Sequence, residues 1–153
     1  MRCIKIFKDE ITLDSVENLI AELRGEDSVD LFFSTSGGMI SAMTILIHAI
    51  NQHPDINIYM FDEVNSCVIK LFLEYDGPIF LNQDLELISF HAYDRELYGI
   101  RHKKEVARCR EIDDAVCEVL ANQLVQEFGI SENQRRRFVD GKDINFYPKD
   151  FDL

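Results

Sequence analysis

The sequence predicts an α/β domain built on a mainly parallel sheet, and three observations support that prediction. Short runs rich in β-branched and aromatic residues alternate along the chain with longer segments of helical periodicity. The strand-like runs are apolar at successive positions, as in strands buried on both faces of a parallel sheet. The chain has 153 residues and is 46% hydrophobic, which suits a single domain, residues 1–153, whose core needs no metal or disulfide.

The first half of the chain divides cleanly into predicted strands and helices. IKIF is the first strand, and the helix TLDSVENLIAELRG follows it, with Thr12 as N-cap and Gly25 as stop signal. VDLFF is a second strand, STSGG a loop, MISAMTILIHAINQ a largely apolar helix and INIYMF a third strand.

The second half begins with DEVNS as a predicted loop and SCVIKLFLEY as the helix after it. DG turns the chain, PIFL and LELISF are strands, and a charged helical segment runs to about Phe128. This segment carries an apolar stripe that we expect to pack against another subunit, formed by Val106, Cys109, Ile112, Val116, Val119 and Leu120.

Charge and composition exclude several classes of partner. The formal net charge of −12 would repel nucleic acid and anionic membranes. The chain has neither an apolar signal core nor a run long enough to cross a membrane, so we expect a cytoplasmic protein. The cysteines, at positions 3, 67, 109 and 117, form no C-x-x-C pair, which predicts buried thiols, no metal site and no cofactor.

Two of the predicted loops follow strands, where the carboxyl ends of a parallel sheet place ligands and chemistry. In STSGG, Gly37 and Gly38 allow a close backbone approach or a positive φ. In DEVNS, Ser66 stands at the predicted start of a helix. Each loop has a simpler interpretation, in which the glycines make a tight turn and Ser66 is only a helix N-cap.

The order of these segments resembles the ClpP family of serine peptidases. The resemblance rests on SGGMISAMTILIHAINQHPDINIYMFDEVNS followed by LELISFH, because the family pairs an S-P-G-G loop with a serine that opens a helix and a histidine that closes a later strand. It covers the chain from IKIF to about Phe146. It implies a ClpP/crotonase-like spiral of β-β-α units with a long handle helix at Arg95 to Phe128, in a single domain shortened at both ends.

The resemblance also implies a catalytic triad. Ser66 would be the nucleophile and His91, 25 residues later, the general base. Asp143 in DGKDINFY best matches the position of the family's acid, and Asp140 is the alternative. Such a chain would be a serine endopeptidase acting on peptides or unfolded protein segments.

The remaining site residues come from the same resemblance. The backbone N–H groups of Gly38 and Cys67 would form the oxyanion hole. Gly37 and Met39 would align the substrate as an added strand.

The approach to Ser66 departs from the family, which has glycine and small residues there. Asp62 and Glu63 bring bulk and charge instead, so we expect residue 62 to avoid positive φ and the acids to oppose a developing oxyanion. Lys70, one helical turn after Ser66, is a rival base, but Glu74 stands at the right spacing to bind it.

The shortened ends of the chain affect its expected partners, and the acidic approach to Ser66 supports an alternative function. Without the family's axial loop we expect no docked ATP-driven unfoldase, and we expect a homo-oligomer that is a ring or something smaller. Two alternatives to a peptidase remain: a catalytically silent assembly or binding subunit of the same fold, and a crotonase-type acyl-CoA enzyme.

Overall fold

The structure is a computed structural model that describes residues 1–82, 85, 87–90, 115, 117–126, 128–140 and 142–146. Its strands and helices, in chain order, are β1 (Cys3–Lys8), α1 (Leu13–Leu23), β2 (Val29–Thr35), α2 (Ile40–Asn51), β3 (Ile56–Asn65), α3 (Val68–Glu74), β4 (Ile79–Leu81), β5 (Leu87–Phe90), α4 (helical residues 117–126), α5 (Glu132–Val139) and β6 (Ile144–Phe146). The chain forms two compact units, one of Met1–Phe90 with Asn145–Leu153 and the other of His91–Ile144.

The first unit is built on a sheet with strand order β1-β2-β3-β5-β6, in which β4 also pairs with β3. The four pairs with a described register are all parallel. Strand β3 is long enough to pair with two strands in succession, first β4 at Ile58–Met60 and then β5 at Glu63–Asn65. The predicted α/β fold with a mainly parallel sheet is therefore confirmed.

Helix α1 begins and ends for the reasons that the sequence suggested. Thr12 caps α1, and its hydroxyl accepts a hydrogen bond from the Ser15 N–H at 3.1 Å. Gly25 follows the helix with φ +86°, the left-handed conformation that ends many helices. The apolar sides of α1 and α2 are buried and supply much of the core: Val16, Leu19, Leu23, Ala42, Met43, Leu46, Ile47 and Ile50.

The sheet is less completely covered than the sequence predicted. Ile4 and Ile6 on β1 are 66% and 68% exposed, so the expectation that every strand is buried on both faces is wrong for β1. Beside them on β2, β3 and β4, the rings of Phe32, Tyr59 and Phe80 stack at centroid distances of 5.1 and 5.0 Å. Stacking across strands buries part of each ring even on an open face.

The prediction of a loop at DEVNS is also wrong. Residues 62–65 continue β3, because Val64 pairs with both Thr35 and Ile88 and Asn65 pairs with Ser89. Helix α3 starts at Val68 with Cys67 as its N-cap residue, and that cap has no side-chain hydrogen bond. The simple interpretation of Ser66 as the N-cap is therefore wrong as well.

The second unit is helical in the part that the structure describes. Arg135 of α5 donates to the Asn122 side chain at 3.2 Å and forms an ion pair with Glu118, both on α4. Of the predicted apolar stripe, only Val119 and Leu120 are among the described residues; Val119 is 58% exposed and Leu120 is buried. Within the described ranges, no helix is both long and apolar enough to cross a membrane.

Candidate functional site

Ser66 lies on a sharp turn between a strand and a helix. It directly follows Asn65, the last residue of β3, and one residue, Cys67, separates it from the start of α3. Its φ is +57°, in the left-handed region that residues with a Cβ rarely adopt. Such a residue costs about 1–2 kcal/mol relative to an ordinary backbone, so the contacts around Ser66 must hold it in place.

Gly37 is packed directly against this serine. A Cβ built on Gly37 would lie 2.5 Å from the Ser66 Cβ and 3.2 Å from its Oγ, and Gly37 has φ +109°. Only glycine fits at this distance and in this conformation. The structure thus brings together the two segments, STSGG and DEVNS, that the sequence singled out.

The Gly-Gly loop is fixed from its other side by Ile11. The Ile11 N–H donates to the Gly37 C=O, and the Met39 N–H donates to the Ile11 C=O, each at 2.8 Å. A Cβ on Gly38 would lie 2.3 Å from the Ile11 carbonyl oxygen. The two backbone groups that the resemblance offered to substrate are therefore bonded within the chain, while the Met39 side chain is 46% exposed.

Thr35 also supports this loop, and the sequence analysis did not single it out. Its hydroxyl, which is buried, accepts a hydrogen bond from the Gly37 N–H at 3.1 Å. A threonine two residues before a turn glycine is a known turn signal, so the role of Thr35 in this loop could have been predicted from the sequence. Ile11 could not, since nothing local connects it to residues 37–39.

Cys67, one of the two predicted oxyanion-hole residues, carries a buried side chain. Burial raises the pKa of the Cys67 thiol to about 11, and the N–H groups of Gly38 and Cys67 act in the opposite direction. The raised pKa keeps the thiol protonated at neutral pH, which makes Cys67 a poor nucleophile beside Ser66.

Strand β5 reaches the serine just before the predicted base. The Ser66 N–H donates to the Ser89 C=O at 2.8 Å, and the Ser89 N–H donates to the Asn65 side-chain oxygen at 3.2 Å. His91 follows two residues after Ser89 and lies outside the described residues.

The two candidate acids belong to the second unit, and both are exposed. Asp140 is the C-cap residue of α5, and its N–H donates to the Arg136 C=O at 2.9 Å. Asp143 lies between α5 and β6, where its main-chain oxygen accepts a hydrogen bond from Arg137 at 3.3 Å. The choice between the two acids stays a prediction.

The acidic approach to Ser66 is partly neutralised by an ion pair. Asp62 binds the Lys8 ammonium at 2.7 Å, and the hydrogen bond to Asp62 raises the pKa of Lys8. Asp62 has φ +59°, so the expectation that this residue avoids positive φ is wrong. Aspartate tolerates the left-handed region better than most residues, because its short polar side chain can hydrogen-bond nearby.

No family model matches the chain, and no curated protein matches it.

The rival base is bound as the sequence predicted. Lys70 on α3 forms an ion pair with Glu74 at 2.8 Å. The Lys70 ammonium is therefore engaged by a carboxylate of its own helix. This contact disfavours a Ser66–Lys70 dyad.

Burial of Cys67 predicts that the free energy of unfolding falls in alkaline solution. The folded thiol has a pKa of about 11 against an ordinary value of 9.0, so the stabilisation is complete below pH 9 and is lost as the pH rises to about 11. The expected loss is about 2–3 kcal/mol. Urea unfolding of the wild type and of Cys67→Ala should show it, with a flatter pH dependence between 9 and 11 in the variant. Parallel curves for the two proteins would contradict the assignment to Cys67.

Proposed function

We propose that this chain is a ClpP-like serine endopeptidase that hydrolyses peptide bonds in peptides or unfolded protein segments. The observation that carries the proposal is the left-handed Ser66 on a strand-to-helix turn, with Gly37 against its side chain. Residues held in rare backbone conformations cluster at active sites. A strained turn of this kind is also how other hydrolases present a nucleophilic serine.

The chemistry assigns one task to each side chain of the triad. The Ser66 hydroxyl attacks the peptide carbonyl while His91 accepts its proton, and Asp143 holds the imidazole in the useful tautomer. His91 then passes the proton to the leaving amine, the C–N bond breaks, and an acyl-enzyme remains on Ser66. Water, deprotonated by His91, hydrolyses this ester and regenerates the serine.

The hydrogen bond between Ser66 and Ser89 supports His91 as the base. It joins the residue of the nucleophile to strand β5 at 2.8 Å, only two residues before His91 in the chain. A base must come within about 3 Å of the hydroxyl that it deprotonates. A histidine that follows β5 in the chain therefore follows a strand that already hydrogen-bonds to Ser66.

The N–H groups of Gly38 and Cys67 would form the oxyanion hole, because each follows directly in the chain one of two residues, Gly37 and Ser66, that pack against each other. Donors fixed in the backbone need little reorganisation when negative charge develops, and one such donor contributes about 3–4 kcal/mol to lowering a barrier. The bonds between Ile11 and residues 37 and 39 hold the Gly38 donor in place before substrate arrives. The exposed Met39 side chain then offers an apolar contact to the substrate.

The proposal also covers the detailed fold and the subunit assembly of the ClpP family. The domain would be a ClpP/crotonase-like spiral of β-β-α units, with Arg95 to Phe128 as a handle helix and with identical subunits packed along it. The parallel sheet is compatible with this architecture. The exposed Val119 side chain is the kind of apolar surface that a second subunit would cover.

A fluorophosphonate probe tests the peptidase proposal directly. We expect the wild-type protein to be labelled at Ser66, identified by mass spectrometry of the modified peptide. Labelling should vanish in Ser66→Ala and nearly vanish in His91→Ala, because the hydroxyl needs its base.

The matched control is Ser36→Ala, which removes an exposed serine from the neighbouring loop and should label like the wild type. A folded, assembled wild type that resists the probe from pH 6 to 9 would overturn the proposal. The chain would then be the silent subunit or, if it bound an acyl-CoA thioester, the crotonase-type enzyme.

A further inference from the structure

Strand β3 contains a bulge of several residues shortly before Ser66. Phe33 pairs with Met60 and Thr35 pairs with Val64, so Ser34 alone on β2 stands opposite residues 61–63 on β3. Bulges bend a strand and redirect the residues after them, and they are frequent beside active sites. The position of Ser66 therefore depends on how this bulge is held.

The buried Ser34 hydroxyl holds the main chain of the bulge. It donates to the Glu63 C=O at 3.2 Å, and the Glu63 N–H donates to it at 3.4 Å. These bonds replace part of the ladder that the extra residues interrupt.

Lys8 holds the side chain of the bulge. On β1, Lys8 is the register partner of Ser34, and its ammonium reaches past β2 to bind Asp62 at 2.7 Å. Asp62 is the residue of the bulge with positive φ. The ion pair therefore ties the strained residue of β3 to a strand that is not its neighbour in the sheet.

We propose that Lys8 is a positioning residue, which acts through Asp62 to hold the β3 bulge and thereby keeps Ser66 against the Gly37–Gly38 loop. This inference rests on the proposed function, because it assigns Lys8 a part in the reactivity of Ser66. It also reverses one expectation from the sequence. Because the Asp62 carboxylate is paired with Lys8, neutralising Asp62 breaks this ion pair and loosens the turn. The sequence had suggested that it would instead relieve a repulsion between Asp62 and the oxyanion.

The test compares Lys8→Met with Lys5→Met. Lys5 is on the same strand as Lys8, but its ammonium pairs with Glu26. We expect Lys8→Met to slow fluorophosphonate labelling of Ser66 by about tenfold or more, because small misplacements of a reacting group have large effects on rate. Lys5→Met should label at the wild-type rate. Lys8→Arg should restore labelling, since arginine keeps the charge and the hydrogen bond.

A double-mutant cycle shows whether Lys8 acts through Asp62. The variant carrying both Lys8→Met and Asp62→Asn should label at the rate of Asp62→Asn alone, because the second change has no ion pair left to break. Additive losses would overturn the inference.

Hydrogen exchange separates this inference from the peptidase proposal. Amide exchange at Glu63 and Ser66 should be severalfold faster in Lys8→Met than in Lys5→Met, in proteins with matching circular dichroism. Unchanged exchange at these amides overturns the inference. If exchange rises as expected but the wild type resists the probe, the role of Lys8 in holding the turn is supported and the peptidase proposal fails.

Discussion

Replacing Gly37 with alanine is expected to abolish the reaction of Ser66 with a fluorophosphonate. The new Cβ would lie 2.5 Å from the Ser66 Cβ and 3.1 Å from the Asn65 carbonyl oxygen, well inside van der Waals contact. Neither neighbour can yield easily, because the Ser66 N–H is bonded to Ser89 and Asn65 is paired in the sheet. The clash is therefore relieved by moving Ser66 or the loop, and either movement changes the position of the Ser66 hydroxyl relative to the Gly37–Gly38 loop.

Gly25→Ala is the matched control for this change. Gly25 also has positive φ, but a Cβ there meets nothing within 4 Å, so the substitution costs backbone strain of about 1 kcal/mol without a clash. Both variants should lose some stability in urea, while only Gly37→Ala should lose labelling. Full labelling of Gly37→Ala would mean that the contact between the two loops does not position the serine.

Much of the fold could be predicted because local signals and the sheet agree. Thr12 and Gly25 mark the ends of α1 in the sequence and in the structure. The bounds of β3 could not be predicted in the same way. Asp62 and Asn65 favour turns by themselves, but the parallel pairing with Thr35 and with Ser89 overrides that preference.

The candidate site shows the same division between local and long-range information. The two loops that meet at Ser66 carry signals that can be read from the sequence, namely paired glycines and a serine between a strand and a helix. The residues that hold these loops come from elsewhere in the chain. Ile11 bonds to the Gly-Gly loop and Lys8 to Asp62, and neither contact leaves a pattern in the sequence, because it depends on which strands become neighbours.

Asp143→Asn is expected to lower kcat/KM for peptide cleavage by about ten-thousandfold if Asp143 orients His91, since an amide favours the wrong imidazole tautomer. Asp140→Asn should have a small effect. Both side chains are exposed, and the change from aspartate to asparagine keeps the size of the side chain. The loss should therefore appear in turnover of a fluorogenic peptide, with little change in the midpoint of urea unfolding.

The background variant His91→Ala shows whether the acid acts through the base. Residues of a catalytic unit are strongly non-additive, so Asp143→Asn should cause no further loss once His91 is gone. If Asp140→Asn causes the large loss instead, Asp140 is the acid. Should neither aspartate matter in a protein that Ser66→Ala silences, His91 works without a carboxylate partner from this segment, and the triad reduces to a Ser66–His91 pair.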